Sequence, residues 1–240
     1  MKLSILSILL FFWTIGLSLG QENRWIPIAD LSISGSQNHF TISPGFSWLY
    51  GLGKSRKFNL GIGFRYSGAF SQNQNFTTAP ARLTSGQEGP QVLFAPDKPE
   101  NVDTFQLGNS WVNALNLAIY LQYNLNEKWQ LGFNIDAIGV SFGTKTRGNF
   151  NSIKSDNVGL KSIGAKPYPF NVLLVSDNDL GSLNSELFLR YFFKEKWAIK
   201  VGATFIFTEY QTDLKPAFDN DRFRHKSLQV MLGLSYKIKN

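Results

Sequence analysis

The segment Trp129-Gln-Leu-Gly-Phe-Asn-Ile-Asp-Ala-Ile-Gly-Val-Ser-Phe142 decides the fold class. Trp129, Leu131, Phe133, Ile135 and Ala137 fall on one face, and Gln130, Gly132, Asn134 and Asp136 on the other. A period of two sorts side chains cleanly on a strand, whereas a helix would scatter them around its axis. The same alternation recurs in both directions. Trp197, Ile199, Val201, Ala203, Phe205 and Phe207 share a face, as do Leu228, Val230, Leu232, Leu234, Tyr236 and Ile238. Four more strands are predicted around Phe40–Tyr50, Phe58–Tyr66, Leu115–Tyr123 and Leu187–Phe193. The first candidate, Trp25–Ser34, is less regular. Pro27 and Pro44 lack a backbone donor, so a bulge or local break is expected near them.

Composition agrees with strands. The 240 residues include 21 Phe, 8 Tyr and 6 Trp, and only 17% are charged. A disordered chain would lack these aromatics, and a helical bundle would carry more Ala, Glu and Lys. With no Cys, disulfides, thiolate metal sites and a cysteine nucleophile are excluded. Residues 1–20 read as a signal peptide: Lys2, an apolar run through Leu6–Trp13 and Ile15–Leu19, then small residues at Ser18 and Gly20. Residues 21–240 would be the exported chain. No later stretch approaches the apolar length of a spanning helix.

The expected connections alternate in length. Gly51–Lys57 is short and basic, Asn124–Lys128 is short and Phe193–Lys196 is a tight turn carrying Lys-Glu-Lys, while 71–103 and 144–181 read as long outer loops. The apolar stripes carry large residues along nearly their whole length. The opposite stripes are rich in Gly, Ser, Thr and Asn, with isolated charges. Trp25, Trp48, Tyr50, Trp129, Tyr191, Trp197 and Tyr236 sit near segment ends. Together these features predict an all-β, closed antiparallel transmembrane β-barrel of eight strands, with ten as the alternative, whose apolar face meets lipid. Closure follows because an open edge in lipid would leave backbone groups unpaired.

The chain resembles small outer-membrane β-barrel proteins of the OmpA/OmpX-like superfamily, of the Bacteroidota type. The resemblance rests on Ser18-Leu19-Gly20-Gln21, Asn124-Leu-Asn-Glu-Lys-Trp129, Phe193-Lys-Glu-Lys-Trp197 and the closing Leu232-Gly-Leu-Ser-Tyr-Lys-Ile-Lys-Asn240. It implies a bacterial outer-membrane location. It also implies contact with membrane lipids, lipopolysaccharide included, and a structural, binding or accessory role through the outer loops. The partner would be another outer-membrane or periplasmic protein. The final Asn240 departs from the aromatic C-terminus common in that superfamily.

Five charges have lumen parity: Arg65, Asp136, Glu186, Arg190 and Lys200. Eight strands leave an interior just wide enough for side chains, so a filling ion-pair network is expected, with a narrow channel for ions or small solutes as the alternative. His225 and Ser227 share a face, a spacing similar to lipid A-modifying hydrolases; Asp221 or Glu209 would have to supply the orienting carboxylate. That parity points to the lumen rather than to lipid, and ordinary lumen lining is the favoured reading. Phe170–Val175 is read as a loop element at the outer rim, with Gln91–Phe94 as a strand partner in the alternative. No cofactor, metal or nucleic-acid site is expected, and the long loops lack the acidic spacing of a calcium loop.

Overall fold

The computed structural model describes residues 24–87, 95–152, 159–174 and 179–238. Residues 1–20, read from sequence as a signal peptide, and the Gln91–Phe94 run lie outside them. Eight strands close a ring: β1 Trp25–Ser36, β2 His39–Leu52, β3 Phe58–Thr78, β4 Thr104–Asn124, β5 Trp129–Phe142, β9 Asn184–Phe192, β10 Trp197–Thr212 and β11 Arg222–Lys237. Each pairs antiparallel with the next, and β11 returns to β1. Three short strands lie outside that ring: β6 Thr146–Asn151, β7 Ile163–Pro167 and β8 Phe170–Val172. Eight is thus the strand number of the ring, and the ten-stranded alternative is set aside.

Faces follow the alternation. Leu31, Ile62, Phe64, Leu115, Leu187 and Val230 point outward and are exposed, while Asn59, Arg65, Asn134, Glu186 and Lys200 are buried inside. This is the inverse of a water-soluble barrel. On β3 the outward apolar face runs from Phe58 to Phe70. At ~3.3 Å rise and ~40° tilt it spans about 30 Å, the thickness of a bilayer core. The end with the short turns, here the basal end, carries an aromatic girdle. Trp25 contacts Tyr50, Trp129 contacts Tyr191 and Trp197 contacts Tyr236, with ring centroids 4.6–5.2 Å apart. Phe58 and Tyr123 face each other in register on a fourth seam. These four seams, β1/β2, β3/β4, β5/β9 and β10/β11, are the ones whose strands are connected at the distal end.

Two irregularities were signalled by sequence or emerge from pairing. The β2–β3 ladder is interrupted at Ser43–Pro44 while its register is kept, because Pro44 has no N–H to give. On β5, Ala137 is a β-bulge: Ala118 pairs Asp136, and Leu117 pairs Ile138. The outward face therefore passes from Ile135 to Ile138, Val140 and Phe142, and Ala137 leaves the apolar stripe that plain alternation assigned to it.

The distal half corrects the loop expectation. β3 continues to Thr78 and β4 starts at Thr104, so 71–78 is strand rather than loop; a one-turn helix α1, Ala81–Thr84, follows. Within 144–181 lie β6, β7 and β8. The distal ends of β3, β4, β10 and β11 join β6 and β7 into a second closed ring of six strands. β1 and β2 stop short of it at the Gln37–Asn38 turn. β8 pairs with the top of β5, so Phe170–Val172 is a strand rather than a loop element; the alternative partner Gln91–Phe94 lies outside the described residues.

The two rings have opposite polarity. The distal one encloses Phe76, Phe105, Phe150, Ile163, Tyr210 and Phe223 in an apolar core. The inversion is built into β3 and β4. Below, odd residues of β3 and even residues of β4 point inward; above, Phe76 with Phe105 and Thr78 do so. The switch lies at Asn73, which adopts φ 50°, opposite Gly108. Those two residues form the gap in a ladder whose register is otherwise unbroken. Polar Gln72–Asn75 therefore hide a strand because they sit where the inside and outside exchange roles.

Candidate functional site

The barrel lumen is filled by two linked polar clusters. In the middle, Arg65 on β3 donates to Asp136 on β5 at 2.5 and 3.0 Å, and also to Asn134 and the Asn184 carbonyl. Its guanidinium lies 3.3 Å from Glu186 on β9. Glu186 also accepts from Lys200 and Asn134, both at 2.7 Å. Asp136 further accepts from Asn116 at 2.7 Å and from the Asn184 backbone N–H at 2.9 Å. Both carboxylates thus have the multiple donors that a buried charge requires.

Nearer the basal end, Arg190 donates to Asp30 at 3.0 and 3.2 Å, to Ser235 at 2.9 Å, and to Gln122 and Gln130. Phe188 stands between the clusters, 5.0 Å from the Arg190 guanidinium and 4.3 Å from the Lys200 ammonium. It fits because Gly132 faces it: a Cβ there would collide with the Phe188 ring. The structure thus brings together all five expected lumen charges and adds Asp30, which sequence reasoning missed. With Asp30 the two clusters hold three acids, Asp30, Asp136 and Glu186, against three bases, Arg65, Arg190 and Lys200. The five expected residues alone sum to +1, a signal that an acid was missing.

Above this layer Asn116, Asn171 and Ser141 hydrogen-bond in series. A cavity of about 10 Å³ lies among Ala69, Val112, Ser182, Leu183 and Ile206, room for roughly one water. The apolar core of the distal ring closes over it.

No family model matches the chain, and no curated protein does either. Among solved structures, neisserial surface protein A is 8% identical, covering 89% of this chain and 96% of that one, with a TM-score of 0.37. The outer-membrane protein Ail of Yersinia pestis is 10% identical over 89% of this chain and 99% of its own, with a TM-score of 0.34. The N-terminal β-barrel domain of Pseudomonas aeruginosa OprF is 11% identical over 90% and 98%, also at 0.34. At such scores the likeness carries no argument, and the barrel is read from its own ring of pairings.

His225 and Ser227 do not assemble a catalytic triad. Ser227 Oγ is 2.9 Å from Ser36 Oγ, and His225 Nδ1 is 3.2 Å from the Asn75 carbonyl. Asp221 accepts from Gln211. Glu209 is held by Arg222 at 2.6 Å and Arg224 at 2.9 Å, on the outward side of β10. Both arginines also donate to the Asp179 carbonyl, which ties the chain between β8 and β9 against the distal ring. Among the described residues no group of three His, Cys, Asp or Glu side chains could hold a metal.

Proposed function

We propose that this protein is a non-conducting barrel of a bacterial outer membrane, and that it presents its distal six-stranded ring as a rigid surface element with a structural or binding role. The observation that supports this most is the pairing of an outward apolar belt with a neutral, hydrogen-bonded lumen. A pathway for ions needs mobile water along the axis. Here Arg65, Asp136, Glu186 and Lys200 in one cluster, and Arg190 with Asp30 in the other, consume that space in mutual bonds, and the Phe76–Phe223 core lies over them. In this reading the basal turns face the periplasm, and the distal ring stands outside the cell. Lys145, Arg147 and Lys166, exposed near the base of that ring, lie where lipopolysaccharide phosphates would meet them. The partner would be another outer-membrane or periplasmic protein.

The test is conductance of the purified full chain in planar lipid bilayers. Absence of stepwise current supports the reading. Discrete, reproducible steps that Arg65→Ala enlarges would replace it with the narrow channel. Protease or antibody access to the distal ring on intact cells tests the orientation, and access only after permeabilisation would reverse it.

A further inference from the structure

The chain has only two histidines, and the fold brings them together. His39 opens β2, and His225 lies on β11. Their ring centroids are 5.3 Å apart with planes tilted by 46°. They sit where the polar lumen gives way to the distal ring. His39 is 3% exposed, yet neither ring nitrogen has a partner. The hydroxyl of Thr41, on the same face of β2, is also buried and unpartnered, as is that of Thr208, which pairs with His225 across β10 and β11. These four atoms, on β2 and β10, are half of the eight buried side-chain nitrogens and oxygens without a partner among the described residues, whereas most buried polar groups in folded proteins are bonded.

The tautomer of His225 follows from its partner. A carbonyl oxygen only accepts, so Nδ1 facing the Asn75 carbonyl carries the proton, and Nε2 holds the lone pair. That arrangement is the usual support of a metal-bound imidazole, whose second nitrogen donates to a carbonyl or carboxylate. The spacing agrees as well. Metal–nitrogen bonds of ~2.0–2.1 Å, extended to the ring centres and opened to a tetrahedral angle, place two imidazole centroids about 5.2 Å apart. Ring stacking alone would account for the distance but leave His39 with two unpaired nitrogens.

We propose that His39 and His225 bind a divalent transition ion that favours imidazole, zinc or copper, between the lumen and the distal ring. The two imidazoles supply two ligands. Waters complete the coordination, and the Thr41 and Thr208 hydroxyls hydrogen-bond to them. His225 is only half-buried, which gives the ion and its waters an entry path. Imidazole suits these ions, whereas calcium and magnesium would require oxygen ligands.

The experiment uses the full chain without a histidine tag, folded in detergent or lipid. Zinc is titrated against a chromophoric chelator, and copper(II) is followed by electron paramagnetic resonance. One equivalent of zinc should bind, and the copper spectrum should report two imidazole nitrogens. Losing a residue that only orients a ligand already costs ~10–100-fold in affinity, so removing a ligand itself, by His39→Ala or His225→Ala, should weaken zinc by about tenfold or more. The proposal is overturned if the full chain binds zinc no more tightly than the double variant, or if either single variant binds unchanged. It is also overturned if the copper spectrum lacks imidazole nitrogen; that measurement needs no variant and stands even where a substitution disturbs folding.

Discussion

Removing Asp30 should destabilise the barrel far more than removing Asp30 together with Arg190. Asp30 is the acid nearest the basal end, and its carboxylate accepts two bonds from Arg190 and one from Ser235. Arg190 is fully buried and its remaining partners, Gln122, Gln130 and Ser235, are neutral. Asp30→Ala therefore leaves a buried cation in a lumen shifted from three acids and three bases to two and three. Breaking one partner of a buried pair costs about 3–5 kcal/mol, whereas replacing both with well-packed apolar groups is often close to neutral. The double variant Asp30→Ala with Arg190→Met should recover most of the loss. Methionine also keeps an apolar stem against Phe188 in place of the guanidinium. Guanidinium unfolding in detergent or vesicles, read by tryptophan fluorescence and by the heat-dependent gel shift of folded barrels, gives the free energies. The reasoning is refuted if Asp30→Ala costs less than about 1 kcal/mol, or if the double variant is as unstable as the two single losses added together.

Other outcomes follow from the same geometry. Phe76→Ala empties part of the distal core, where Phe76 is wholly buried; a loss of about 3–5 kcal/mol should appear as faster amide exchange in β6 and β7, with the eight-stranded ring still protected. Gly139→Ala places a Cβ against the Leu115 carbonyl and the Asn116 side chain, backbone that cannot yield easily, so about 1–3 kcal/mol should be lost by denaturant midpoint; an unchanged midpoint refutes the close packing beside the Ala137 bulge. Trp197→Ala removes one girdle contact, with Tyr236, and aromatic pairs contribute roughly 0.5–1.5 kcal/mol beyond burial. That pairwise part should vanish in a Tyr236→Ala background, and a purely additive double variant would count against the contact.

Much of the eight-stranded ring was legible because lipid outside and polar groups inside enforce a strict period of two. Trp129–Asp136, Trp197–Thr208 and the final strand state that rule most plainly. The lumen charges were legible for the same reason: Arg65, Glu186, Arg190 and Lys200 interrupt polar stripes at fixed parity. Asp30 escaped because apolar Ile26 and Ile28 share its inward parity, so the alternation of its strand is blurred and the inner face could not be assigned. Ala137 was misplaced because a bulge is set by pairing with Leu117 and Ala118, not by local pattern. The distal ring was hidden for a deeper reason. Its inward face is apolar and its outward face wet, so the reading rule reverses at Asn73 and Gly108. Phe76, Phe105 and Phe150 then look like stray aromatics in polar loops. Their partners are distant in sequence, and no window of consecutive residues contains the ring they close.

The closure of that ring also fixes an order of events. Its last seam joins Thr77 and Thr78 of β3 to Arg224 and Phe223 of β11, across most of the chain. Contacts this remote are slow to form because loop entropy must be overcome first. β11 must arrive before the seam can exist, and by then β3 through β10 have been delivered. On the proposed orientation, the segments that build the ring must also pass the bilayer while still open, since a sealed six-stranded core could not thread between lipids. The distal ring would therefore be a late product of assembly, and its protection from protease would mark the molecules whose insertion is finished.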